Sequence, residues 1–141
     1  MLVLDTDTVT IWLNPEDALH ERLRQRLDRP GARGFTTTAV NLQEQMRGWL
    51  ADIHRARRPE EIVRGYRNLL KTFDELRALI LLPYDEVAHD RFELQRPQLR
   101  RLGTRDLRIA CIALVHNATL LTRNVRDFRQ VPGLTFEDWA R

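Results

Sequence analysis

Two aspartates far apart in the chain carry the first chemical suggestion. Asp5 ends the apolar run Leu2-Val3-Leu4, and Asp106 opens an apolar segment in Gly103-Thr104-Arg105-Asp106-Leu107-Arg108-Ile109-Ala110. Neither carboxylate suits a packed interior unless positive charge sits between them, because burying unpaired charge is costly. Ligands that are all oxygen favour magnesium or manganese over zinc. The pair therefore suggests a metal-dependent hydrolase. Each residue also has a plain structural reading. An Asp after a strand commonly caps the next helix, and Asp106, in the first turn if Thr104 is the cap, is favoured by the helix dipole.

Other candidates are weaker on spacing alone. Asn124 and Asp127 follow an expected strand over residues 119–122, at a carboxyl end where open parallel sheets place their sites, but taken alone they read as a surface turn sooner than as a site. Glu44 falls opposite the apolar stripe of its helix, and periodicity does not select it. His20, His54, His89 and His116 are scattered without metal-ligand spacing. Gly31-Ala32-Arg33-Gly34 has neither the length nor the lysine of a phosphate loop, and no G-x-S-x-G elbow occurs. Cys111, the only cysteine, sits among apolar residues, forms no intrachain disulfide and is a poor nucleophile candidate.

The elements expected to position these residues alternate along the chain. Leu2-Val3-Leu4 reads as a strand, followed by a short helix with Val9, Trp12 and Leu13 that ends near Asn14-Pro15. Leu19, Leu23 and Leu27 recur at four-residue spacing and mark an amphipathic helix stopping before Pro30-Gly31. Phe35-Thr36-Thr37 is a weak strand, and Thr38 caps a helix with Leu42, Met46, Trp49, Leu50 and Ile53 on one stripe. A basic turn at residues 55–59 precedes a long helix with Ile62, Tyr66, Leu69, Leu70, Phe73 and Leu76 on its apolar face. Residues 79–82 read as a buried strand. A helix through Ala88, Phe92, Gln95 and Leu99 follows, then the helix over 104–116 that carries Asp106, and strands over 119–122 and 134–136. The alternation predicts an α/β fold around a mostly parallel sheet of four to five short strands, in a single domain over 1–141.

Composition bounds the class without naming a partner. At 43% hydrophobic and 30% charged residues, the chain is an ordinary globular mixture rather than a disordered one. Net charge is +3 with a pI near 9.7, and the basic residues are arginines except Lys71. Arginine pairs bidentately with phosphate, which admits nucleic acid, although a GC-biased genome accounts for most of the arginine excess. No apolar run is long enough to span a membrane and none reads as a signal peptide, so a soluble cytoplasmic protein is expected.

Four short motifs in order resemble the PIN domain: Leu4-Asp5-Thr6; Thr37-Thr38-Ala39-Val40-Asn41-Leu42-Gln43-Glu44; Gly103-Thr104-Arg105-Asp106-Leu107; and Thr122-Arg123-Asn124-Val125-Arg126-Asp127-Phe128. More narrowly, the chain is similar to the VapC ribonuclease toxins of prokaryotic toxin–antitoxin pairs. The resemblance implies a three-layer α/β/α domain that hydrolyses phosphodiester bonds in RNA with magnesium or manganese. It places the metal-binding and catalytic carboxylates on Asp5, Glu44 and Asp106, with the fourth acidic position at Asp127 or at the site of Asn124. Where the family often has an acid two residues after Thr122, this chain has Asn124. Thr6, Arg105, Thr122, Arg123 and Asn124 become candidates for holding substrate. The implied partners are RNA, a cognate antitoxin and a second copy of the chain, as a homodimer or a higher assembly with antitoxin, and Trp12 of the first helix is expected to contribute to self-association.

Two rivals remain. Asp5-Thr6-Asp7-Thr8-Val9 also fits the aspartyl nucleophile pattern of haloacid-dehalogenase phosphatases, but Lys71 lies mid-helix, no Gly-Asp pair occurs, and a cap domain has no room. A degenerate PIN fold that only binds RNA or protein is the other, with Asn124 its main argument.

Overall fold

The computed structural model describes residues 1–140. Its elements run β1 (Leu2–Leu4), α1 (Thr6–Leu13), α2 (His20–Leu27), β2 (Phe35–Thr36), α3 (Ala39–Arg55), α4 (Pro59–Leu76), α5 (Glu86–Gln95), a 3-10 turn (Arg96–Gln98), α6 (Thr104–Val115), β3 (Thr119–Leu121), α7 (Val125–Phe128) and β4 (Thr135–Glu137). The four strands pair in parallel in the order β2-β1-β3-β4. Val3 is level with Leu120, and Leu4 with Leu121.

Alternation along the strands builds two cores, one on each sheet face. Val3 and Leu120 join Leu107, Ile109 and Ile112 of α6 and Phe92 of α5. Leu2, Leu4 and Leu121 point the other way, onto Val9 and Trp12 of α1, Leu23 and Leu27 of α2, and Leu76 at the end of α4. Strands buried on both faces read as continuous apolar runs, and the result is the expected α/β/α layering.

Local chemistry sets several element ends. Thr38 and Asn41 form a reciprocal capping box at the start of α3: the Thr38 hydroxyl accepts from the Asn41 amide at 3.2 Å, and Asn41 Oδ1 accepts from the Thr38 amide at 3.3 Å. At the end of α6, Asn117 takes φ 50°, its amide donates to Leu114 O, and the Ala118 amide donates to Ala113 O. That is a Schellman closure with Asn in place of glycine.

The structure corrects four expectations. Residues 79–82 do not join the sheet: Leu82 makes an isolated bridge to Thr38 and Ile80 is 89% exposed. Of these four residues only Leu82, the one that bridges, is buried. On α4 the expected apolar face is largely exposed, with Tyr66, Leu70 and Phe73 outside, while Gly65, Thr72 and Leu76 are buried. Gly65 lets α4 approach α3, where a Cβ would lie 2.6 Å from Ile53 Cγ1. The α6 cap is Gly103, with Thr104 already helical. Trp12, which the sequence suggests as a self-association residue, is buried against Phe35 with the Arg24 guanidinium over its ring. No helix among the described residues is long and apolar enough to cross a membrane.

Candidate metal and phosphodiester site

The chain steps from β1 outward to β2 on one side, whereas β3 and β4 lie on the other. Reversals of this kind leave a crevice at the carboxyl ends of the central strands, where α/β sheets place their sites. Asp5 stands at that edge of β1 and Thr122 at that edge of β3, and the Thr122 hydroxyl donates to Asp5 Oδ2 at 2.8 Å across the crevice. Asp5 occupies the N-cap position of α1, yet its side chain makes no capping bond. The capping reading thus places the residue correctly but does not account for its carboxylate.

Asp5 is 3% exposed, and its Oδ1 is buried without a hydrogen-bond partner. Burial pushes its carboxyl up to about 7, and repulsion from Asp7 and Asp106 adds to the shift, while the Thr6 amide and the Thr122 hydroxyl oppose it. Asp106, half-buried in the first turn of α6, is also raised. Burial is the main cause, followed by repulsion from Glu44, Asp127 and Asp7, with Arg105 opposing. Residues from α1, α3, α6 and α7 therefore share one field.

Glu44 is the largest change from the sequence reading. It is half-buried rather than solvated, its Oε2 accepts from the Thr6 hydroxyl at 3.1 Å, and its Oε1 is buried with no partner. Asn41, fully buried, donates to Thr6 Oγ1 at 3.2 Å, so the cap of α3 is wired through Thr6 to Glu44. On the other flank Asn124 Nδ2 donates to Asp127 Oδ2 at 2.9 Å, and the Asn124 amide donates to Thr122 Oγ1 at 3.0 Å. Here the amide side chain holds the neighbouring acid.

Sequence reading left two participants out. Asp7 lies in the first turn of α1, accepts from the Arg123 amide at 3.2 Å, and repels both Asp5 and Asp106. Its signal in the sequence is its place two residues beyond Asp5. Asn41 had none, because its role depends on a residue of another element. Arg105 and Arg123 are exposed and line different clefts: Arg105 lines one with Thr6 and Glu44, and Arg123 lines another with Asp7 and Asn124.

Two buried carboxylate oxygens without partners, Asp5 Oδ1 and Glu44 Oε1, are the atoms a cation would satisfy. The donor set is all oxygen and hard. Among the described residues no three acidic, histidine or cysteine side chains close on a single point. A hard divalent ion held here would take one or two of these carboxylates and keep several waters.

Over 46 residues the sequence is 44% identical to Ribonuclease VapC1 of Haemophilus influenzae strain R2866, a match to 33% of this chain and 34% of that protein. Over 40 residues it is 43% identical to Ribonuclease VapC2 of Rickettsia felis, covering 28% and 30%. The matched stretch spans about a third of the length of these curated relatives. Among solved structures the chain is similar to DNA-bound VapBC from Salmonella typhimurium, at 26% identity over 98% of this chain and 97% of that one, with a TM-score of 0.72. It also shares the fold of VapBC2 from Rickettsia felis bound to a DNA fragment from the promoter, with TM-score 0.76, 21% identity and 98% of each chain covered. The PIN domain family matches residues 2–134, through all the carboxylates described above, and the chain belongs to that family.

Proposed function

We propose that this chain is a ribonuclease that hydrolyses RNA phosphodiester bonds with magnesium or manganese, acting in the cytoplasm as the toxin of a VapBC-type pair. The observation that carries the reading is the repulsion that links Asp106 to Asp5, Glu44 and Asp127, together with a buried, unpartnered oxygen on Asp5 and on Glu44. Asp5 and Asp106 would hold the ion, and Glu44 and Asp127 would orient water beside it. A bound divalent ion supplies a water of lowered pKa and neutralises charge on the phosphate and the leaving oxygen. Thr122, Thr6 and Asn124 keep Asp5, Glu44 and Asp127 in place through the hydrogen bonds described above. Arg105 and Arg123, which line clefts beside the acids, would hold the RNA backbone.

The same reading includes a cognate antitoxin and a homodimer. Support comes from the VapBC structures this chain resembles and from the exposed stripe of Tyr66, Leu70 and Phe73 on α4. Purified protein is expected to cleave single-stranded RNA with manganese or magnesium and to stop with chelator. Retained RNA affinity with no cleavage under any divalent ion would instead favour a binding module.

A further inference from the structure

The cleft beside Glu44, Thr6 and Arg105 does not end at the carboxylates. It has a volume of about 510 Å³ and adjoins a second cleft of about 520 Å³ between α1, α3 and α4, with Thr10, Gln45 and Trp49 on the walls of both. Gln45 donates to Thr10 at 3.1 Å across the junction. Trp49 is fixed there, its Nε1 donating to the buried Thr72 hydroxyl at 2.8 Å. The far cleft is bordered by Arg64, Arg67 and Lys71, whose spacing puts them along one face of α4. All three are exposed, and none forms a side-chain hydrogen bond or ion pair among the described residues. Glu16 and Glu75 also border this cleft, but Glu75 faces Arg24 at 3.8 Å.

A row of unpaired cations leading away from a phosphodiester site complements a polyanion, and a fixed indole at the junction offers a face to any base. We propose that this trough is a distal track for single-stranded RNA. Arg64, Arg67 and Lys71 hold phosphates away from the bond that is cut, and Trp49 stacks a base between them and the carboxylates. The assignment rests on the nuclease reading above and extends it to a binding site on α4.

The test compares fluorescein-labelled single-stranded RNAs of twelve and four nucleotides. Anisotropy is measured on the full chain carrying Asp106→Asn, with and without Arg64→Gln, Arg67→Gln and Lys71→Gln together. The triple change is expected to weaken twelve-nucleotide binding at least ten-fold and leave the short RNA unaffected. It should also flatten the plot of log affinity against log salt by about 2, since each phosphate contact on a single strand contributes roughly 0.7. Unchanged affinity and slope for the long RNA, while the unsubstituted chain cleaves RNA with manganese, would overturn the track and leave the nuclease standing. The expected loss of affinity with no cleavage of either RNA would support the track and overturn the nuclease. A twelve-residue polyglutamate peptide that binds more tightly than RNA, and loses that binding in the triple variant, would assign the trough to a protein ligand and overturn the proposal.

Discussion

Asp106 faces opposed demands. Near the N-terminus of α6 its charge gains roughly 0.3–1 kcal/mol from the helix dipole, but half-burial and Glu44, Asp127 and Asp7 all disfavour that charge. Asp106→Asn is therefore expected to abolish RNA cleavage and weaken manganese binding while the metal-free protein melts at the same temperature or higher. Thermal melts in chelator beside a cleavage assay decide it; a variant that melts clearly lower and still cleaves would make Asp106 a structural residue. Asp5 gives a second expectation. Its carboxyl titrates at about 7 in the fold against an ordinary 3.8, so between those values the folded chain holds a proton that the unfolded chain has lost. The associated stability is complete below about pH 4 and is lost as pH rises through 7. In chelator the melting temperature is expected to fall from pH 5 to pH 8, less so in Asp5→Asn, and a fall of equal size in that variant would assign the effect to other groups.

At the scale of elements, the α3–α4 hairpin connects stability to the site. Its first turn positions Glu44 through Thr38, Asn41 and Thr6, and its closing contact requires glycine at position 65. Gly65→Ala drives a methyl into Ile53, and overpacking of this kind costs about 1–3 kcal/mol. Chemical denaturation should show that loss, and Ile53→Ala should recover part of it in the double variant, because the two residues are in contact. Additive losses would mean that the helices separate rather than clash. The hairpin also shows where periodicity misleads. Tyr66, Leu70 and Phe73 form as regular a stripe as any buried one, and only the position of α3 leaves them outside.

At the scale of the whole molecule, the cost of gathering like charges should be returned when an ion binds. An ion that binds the fold and not the unfolded chain, present at a hundred times its dissociation constant, adds about 2.7 kcal/mol. For a chain of this length that corresponds to a rise in melting temperature on the order of 5–15 °C. Manganese is expected to produce such a rise in the unsubstituted chain and little in Asp106→Asn, as read by calorimetry. An equal rise in both would place the ion elsewhere.

The sequence by itself determined the local elements and, through four motifs, the family. Leu2–Leu4 and Thr119–Leu121 are recognisable as strands because buried parallel strands are apolar throughout. Thr38 marks the start of α3 through its own side chain. Resemblance rather than spacing supplied Glu44, whose place in its helix looks solvated until Thr6 and Asn41 of other elements enclose it. Tertiary structure alone decided that Asn41 holds Thr6, that Asn124 serves Asp127, and that residues 79–82 stay outside the sheet. Periodicity reports which residues of one element share a face. Which face meets which, and whether two carboxylates are close enough to repel, follows from the order β2-β1-β3-β4, which brings the end of β1 beside the end of β3.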